Sequence, residues 1–221
     1  MPSAHAPHIA PSQSILIQEV AVATGISTRK INRLIDDAVL PQSLCVKIGN
    51  RRALHAFAVP MVGFGAADGA KLSKDIRLKA MRLIGTFAKK HWRHLCQEPE
   101  YAKRLQLQSG CIVIALGKPV SETMAGLNKW VEAQLRIVKD PEIRGGIPVV
   151  RGTRVGVYEV ASAFAIDGVD IVLEDFPALS REDVEAAVLY AKVYPITGRP
   201  RANVGSRRLV SKDVMNLAVV A

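Results

Sequence analysis

The sequence predicts a mainly α-helical protein with short β-hairpins, in two small units joined by a strand and a helix. Three observations predict it. Apolar residues recur at helical spacing in several stretches, each bounded by a capping residue, a glycine or a proline. Two pairs of short β-type runs flank tight turns, near 45–59 and near 148–157. Charge is divided along the chain: residues 1–110 hold 16 Lys and Arg against 7 Asp and Glu, residues 111–193 hold 9 against 12, and residues 194–221 hold 5 against 1. The net values are therefore +9, −3 and +4, which predicts three different jobs.

The expected organisation is a flexible arm over 1–14, a first unit over 15–96, a connecting strand and helix over 97–138, a second unit over 139–194 and a basic tail over 195–221. The arm is rich in Pro, Ala, Ser and His, and Ile15–Ile17 reads as an edge strand. A short helix follows and ends at Gly25. Ser27 caps the next helix, in which Ile31, Leu34 and Ile35 share one face until Pro41 ends the element. Cys45–Ile48 and Ala53–Val59 read as strands around a turn whose tip carries Arg51 and Arg52. Gly63–Gly69 reads as a connection. Ser73–Lys90 has helical period, with Ile76, Leu83, Ile84 and Phe87 on one side and basic residues around them.

A connection over 97–110 leads to a β-type run at Cys111–Leu116 and a helix capped by Ser121. Its stripe of Met124, Leu127, Val131, Leu135 and Val138 serves the core or a subunit contact, the core being favoured. In the second unit, Pro148–Val150 and Val155–Val157 flank the turn Arg151-Gly152-Thr153-Arg154. Helices follow at 159–167 and 169–175, divided by Gly168. Ser180-Arg181-Glu182-Asp183 is a capping-box pattern for a third helix, with Val184, Ala187, Val188 and Ala191 inward.

A helix, a tight turn, a second helix and a basic hairpin, in that order, form the layout of a winged helix-turn-helix. The candidate DNA-binding residues are Ser27, Thr28, Arg29, Lys30, Asn32 and Arg33 at the second helix, with Arg51 and Arg52 on the hairpin. Polar and cationic side chains there can read base edges, and arginine forks suit phosphate. The first unit's charge attracts double-stranded DNA in any case. The run ATGISTRKINRLIDDAVLP resembles the start of MerR-like and excisionase-like regulators, which place G-[IV]-S-x-R-x-[IL] at this turn. It departs where those families carry a tyrosine pair, since Arg33 and Leu34 stand there.

The second unit carries D-P-x-[IV]-x-G-G-x-P-x-[IV]-x-G-T-R, from Asp140 and Pro141 through Gly145, Gly146 and Pro148 to Gly152, Thr153 and Arg154. The pattern continues through Phe176, Pro177, Leu179, Asp183, Val184, Tyr190 and Ala191. These residues resemble the VapB-like antitoxins, a bacterial family with a G-T-R signature. That resemblance implies a small three-helix, homeodomain-like fold and a neighbouring PIN-like ribonuclease toxin of the VapC kind. It further implies a type II antitoxin that binds the toxin and represses its own operon. The would-be recognition helix starts Ser180-Arg181-Glu182-Asp183 and the unit is net acidic, so phosphate is repelled and the unit reads as a dimerisation and partner module. Arg151 and Arg154 touching phosphate is the alternative. Arg199, Arg201, Arg207 and Arg208 in the tail are the candidate toxin-binding residues, fit to enter the carboxylate cluster of such a nuclease. A stand-alone MerR-like regulator and a protein adaptor are the competing readings; a homodimer follows from the two-fold symmetry of operators.

Catalysis has no positive case. No G-x-S-x-G motif occurs, and His91 and His94 share a helical face without a third zinc ligand. The glycines at 145, 146 and 152 read as backbone devices, without the lysine of a phosphate loop, and no cofactor is expected. Cys45, Cys96 and Cys111 are odd in number and lack a C-x-x-C pair, which fits a reducing cytoplasm. No signal peptide and no apolar run of membrane length is expected.

Overall fold

A computed structural model describes residues 9–67 and 69–196. The chain is mainly helical with short antiparallel strand pairs, as the sequence predicts. Its elements are β1 (Ser14–Leu16), α1 (Ile17–Thr24), α2 (Thr28–Asp36), β2 (Cys45–Ile48), β3 (Arg51–His55), α3 (Val59–Ala66), α4 (Lys74–Gln97), β4 (Gln106–Ser109), β5 (Ile112–Ala115), α5 (Gly117–Leu135), β6 (Ile137–Val138), β7 (Val149–Val150), α6 (Val157–Asp175) and α7 (Arg181–Val193). The strands form three separate sheets, ordered β1-β3-β2, β4-β5 and β6-β7. Among the described residues no helix is long and apolar enough to cross a membrane.

The local rules read from the sequence hold in several places. Gly25 turns the chain with φ +68°, and the Lys30 N–H donates to Ser27 Oγ at 3.4 Å to cap α2. Ile31, Leu34 and Ile35 are buried on its inner face. Gly168, at φ +79°, breaks α6 into the two helical pieces expected there. Ser180 and Asp183 form the reciprocal capping box of α7, and Val184 and Ala187 are buried.

Elsewhere the structure differs. The hairpin reverses at Gly49-Asn50, and Ile48 faces Arg51 across the ladder, so Arg51 and Arg52 open β3 instead of forming the turn tip. The strand expected over 53–59 ends at His55, a 3-10 turn at Ala56–Ala58 follows, and Gly63–Ala66 of the expected connection close α3, which is buried along its whole length. A helix apolar on every side gives no period to read. Within 97–110 a 3-10 turn at Pro99–Arg104 precedes β4, which pairs with β5. Helix α5 starts at Gly117; Ser121 lies buried in its second turn and donates to Glu100 Oε1 at 3.0 Å, so it caps nothing. On the α5 stripe Met124 and Leu127 are core residues, whereas Leu135 is exposed.

Two apolar cores result. The first gathers residues between Ile9 and Leu127, around Val20, Ile31, Phe64, Ile84 and Leu116. The second gathers residues between Trp130 and Val193, with Val22 and Ala23 of α1 packed against it. Helix α5 contributes to both, and α1 touches α2, α5 and α7. These two helices therefore carry the connection between the halves of the molecule.

Candidate nucleic-acid interface

Helix α2 turns its apolar stripe to the first core, which leaves Arg29, Lys30 and Arg33 exposed on its outer face. Beside it, the β2–β3 hairpin and the first turn of α1 enclose an open cleft of about 370 Å³. Leu16, Ile17, Gln18, Thr28, Asn32, Asn50, Arg51 and Arg52 line it. Four of the eight candidate residues, Thr28, Asn32, Arg51 and Arg52, thus meet at one cleft, while Arg29 and Arg33 stand exposed on α2 outside it and Lys30 lines a separate pocket with Gly25 and Ser27.

The candidates are not equally free. Arg52 Nη1 donates to Asp36 Oδ1 at 2.8 Å and to Asn32 Oδ1 at 3.2 Å, and Asn32 Nδ2 donates to the Thr28 carbonyl at 3.0 Å. Arg52 and Asn32 therefore hold the hairpin against α2. Ser27 is spent as the helix cap. Arg51 stands exposed on the hairpin wall of the cleft. Gln18 and Asn50 line the cleft and were not among the candidates. Asn50 sits inside the Gly-Asn-Arg-Arg turn that the sequence does mark, whereas Gln18 becomes visible only once α1 is placed.

Several polar groups of the second unit are paired within the molecule. Arg144 donates to both carboxylate oxygens of Glu159, at 2.6 and 2.9 Å, and to the Arg154 carbonyl at 3.2 Å. Arg151 Nε donates to the Leu135 carbonyl at 2.6 Å, closing the end of α5. Gly145, Gly146 and Gly152 all take positive φ. The Lys139 ammonium stands 5.7 Å from the centre of the Tyr190 ring and 5.8 Å from that of Tyr194. Among the described residues no three His, Cys, Asp or Glu side chains gather in a way that could hold a metal. His94 stacks on Tyr101 and His91 packs tilted against it, each ring centre 5.3 Å from the tyrosine's. The candidate toxin-binding residues Arg199, Arg201, Arg207 and Arg208 lie outside the described residues.

Asp183 gives this unit a pH dependence. Burial alone would raise its carboxyl, but the Ser180 N–H, the Arg136 guanidinium at 2.8 Å and the Ser180 hydroxyl hold it below the ordinary aspartate range. A folded-state pKa below the unfolded one adds stability that is complete above the unfolded value and is lost as pH falls through the folded value. Thermal melts between pH 7 and strongly acidic pH will therefore show a falling Tm, and Arg136→Ala will flatten that fall. A melt profile of R136A parallel to the wild-type profile would rule the Arg136–Asp183 pair out as a cause.

Compared with known proteins, residues 137–191 match a family described as "Protein of unknown function (DUF433)". Over 203 residues the chain is 33% identical to the protein described as "Uncharacterized protein y4eO" of Sinorhizobium fredii (strain NBRC 101917 / NGR234), covering 90% of this chain and 88% of that one. No solved structure matches.

Proposed function

The chain belongs to the same family as the y4eO protein of Sinorhizobium fredii, and from that premise we propose that it is a DNA-binding antitoxin. In this reading a winged helix-turn-helix in the N-terminal half holds operator DNA, with the protein acting as a dimer. The homeodomain-like C-terminal unit and its tail engage and neutralise a PIN-like ribonuclease.

The observation that carries the DNA half is the arrangement at the cleft. Arg29, Lys30 and Arg33 are exposed on α2, Arg51 is exposed on the wall of the cleft that Thr28 and Asn32 of α2 also line, and Arg52 bonds Asp36 between hairpin and helix. A helix of this width fits a major groove, and a cation on a hairpin beside it fits the adjoining phosphates. The antitoxin half is supported by the Asp140–Arg154 pattern and by a net charge of −3 over 111–193, which favours a protein over a polyanion as partner.

The test is a gel shift on the duplex upstream of the protein's own gene. Arg29→Ala with Arg33→Ala will weaken binding at least 10-fold and lower the slope of log affinity against log salt by about 2. Unchanged affinity would remove α2 from the interface. For the partner half, co-expression with the adjacent reading frame is the measurement. Rescue of growth that is lost when residues 195–221 are deleted supports the antitoxin reading. A neighbour that is harmless in the first place leaves a stand-alone regulator.

A further inference from the structure

Helix α4 carries seven Lys and Arg against a single Asp. Its inner face is filled. Ala80, Met81, Ile84, Ala88, Trp92 and Leu95 are buried in the first core, and Trp92 Nε1 donates to the Ile9 carbonyl at 2.8 Å. Its outer face is a stripe of cations. Lys79, Arg82, Lys89, Lys90 and Arg93 are all exposed, and they recur at the spacing of one helical face. At about 1.5 Å of rise per residue the stripe is about 21 Å long. Among the described residues none of these five side chains has an ion-pair or hydrogen-bond partner. Helices α5 and α7 do place acids beside their cations, as in Lys118–Glu122, Lys129–Glu185 and Arg181–Asp170.

Like charges three and four residues apart repel along a helix, and Lys79 with Arg82, Lys89 with Arg93 and Lys90 with Arg93 stand at those spacings. The stripe therefore costs the free protein stability, and that repulsion is relieved when a polyanion binds. We propose that α4 is a second phosphate-binding surface, which holds the backbone of duplex DNA without reading its sequence. Charge complementarity selects this occupant. The phosphates of one strand recur every 3.4 Å or so along the duplex axis, so a stripe of this length spans about six of them. Exposed cations on unbraced stems suit phosphate in any sequence, in contrast with Arg52 and Asn32, which are bonded to each other beside the cleft. An anionic membrane is the poorer fit. A helix lying on a bilayer buries apolar side chains in it, and no exposed residue of α4 is apolar. The inference rests on the DNA-binding part of the reading above and divides the work within it: α2 selects the site, and α4 supplies affinity that is blind to sequence.

The experiment measures binding of the full-length chain to two duplexes of equal length across a salt series. One is taken from upstream of its own gene and the other has an unrelated sequence. The variant combines Lys79→Gln, Arg82→Gln, Lys89→Gln, Lys90→Gln and Arg93→Gln. It will lose at least about 10-fold in affinity for both duplexes by the same factor, and the slope of log affinity against log salt will fall by about 3 or more. Its Tm without DNA will stay at or above the wild-type value, because only repulsion at exposed positions is removed. Lys79→Arg with Lys89→Arg and Lys90→Arg, which keeps the charge, will keep the slope. Wild-type affinity and slope of the glutamine variant on the unrelated duplex overturn the proposal, as does a wild type that ignores that duplex at low salt. So does a glutamine variant that keeps duplex binding and instead loses binding to vesicles of phosphatidylserine and phosphatidylcholine. Failure of the α2 assignment reads out on another observable. Arg29→Ala with Arg33→Ala would then leave the preference for the upstream duplex over the unrelated one intact, and the α4 result would stand.

Discussion

Gly126→Ala will destabilise the protein by about 2 kcal/mol and Gly126→Val by about 3 kcal/mol or more. Helix α1 crosses α5 at this glycine. A Cβ placed there stands 1.9 Å from the Ala23 carbonyl oxygen and 3.0 Å from its carbon. Both atoms are backbone, so no side-chain rotation relieves the clash and α1 must move. The sign of the alanine effect is diagnostic, because on an open helix surface Gly→Ala is stabilising by up to about 1 kcal/mol. Gly85 is the internal control. A Cβ there stands 2.2 Å from Met61 Cε, the tip of a flexible side chain that can swing aside. Gly85→Ala will therefore cost far less than Gly126→Ala under the same urea titration. Equal stability of G126A and wild type would show that α1 does not sit on α5 as described. Because the first turn of α1 lines the cleft, the proposed DNA-binding reading expects G126V to weaken DNA binding as well, without touching a cationic side chain.

The features legible in the sequence are those governed by neighbours in the chain. The inner face of α2 follows from Ile31, Leu34 and Ile35, its start from Ser27, and the start of α7 from the Ser180–Asp183 box. The break in α6 follows from Gly168. What escaped is governed by distant partners or by the loss of a period. Helix α3 is buried on all sides, so its residues show no alternation between apolar and polar. Strand β4 does alternate, as Gln106-Leu107-Gln108, but Pro99 and the polar residues after it read as a loop. The site shows the same division. The cations of α2 could be named from their spacing, whereas the pairing of Arg52 with Asp36, which turns a candidate contact into a brace, joins residues on different elements.

Glu19 is the residue on which that division bears most heavily, and Glu19→Ala will cost about 3 kcal/mol. It is a buried carboxylate in a short apolar helix, with partners from three regions. Its Oε2 accepts the Leu16 N–H at 2.7 Å, which caps the first turn of α1. Its Oε1 accepts Gln134 Nε2 from α5 at 3.0 Å and the Tyr194 hydroxyl, just past α7, at 2.7 Å. Burial and the Glu19 carboxylate push the Tyr194 phenol well above its ordinary pKa, so it remains a donor at neutral and alkaline pH. Alanine at 19 leaves the buried Leu16 N–H and the half-buried Gln134 and Tyr194 donors without this acceptor, and a buried loss costs about 1–3 kcal/mol before relaxation. Tyr194→Phe removes one donor and leaves the acceptor with two others, so it will cost about 1 kcal/mol. A double-mutant cycle between E19A and Y194F will show that the effect of Y194F largely vanishes once Glu19 is gone. Additive losses would instead mean that the two groups do not share a bond. The consequence reaches beyond stability, because Glu19 sits in the same turn as Gln18, on the wall of the cleft, and Tyr194 is where the second unit hands over to the tail. Any partner that reorders Tyr194 withdraws a hydrogen bond from the helix that borders the cleft. On the proposed DNA-binding reading, Y194F will therefore shift DNA affinity by a few-fold with every cationic side chain intact, and an affinity identical to wild type would show that the two halves are joined in structure but not in function.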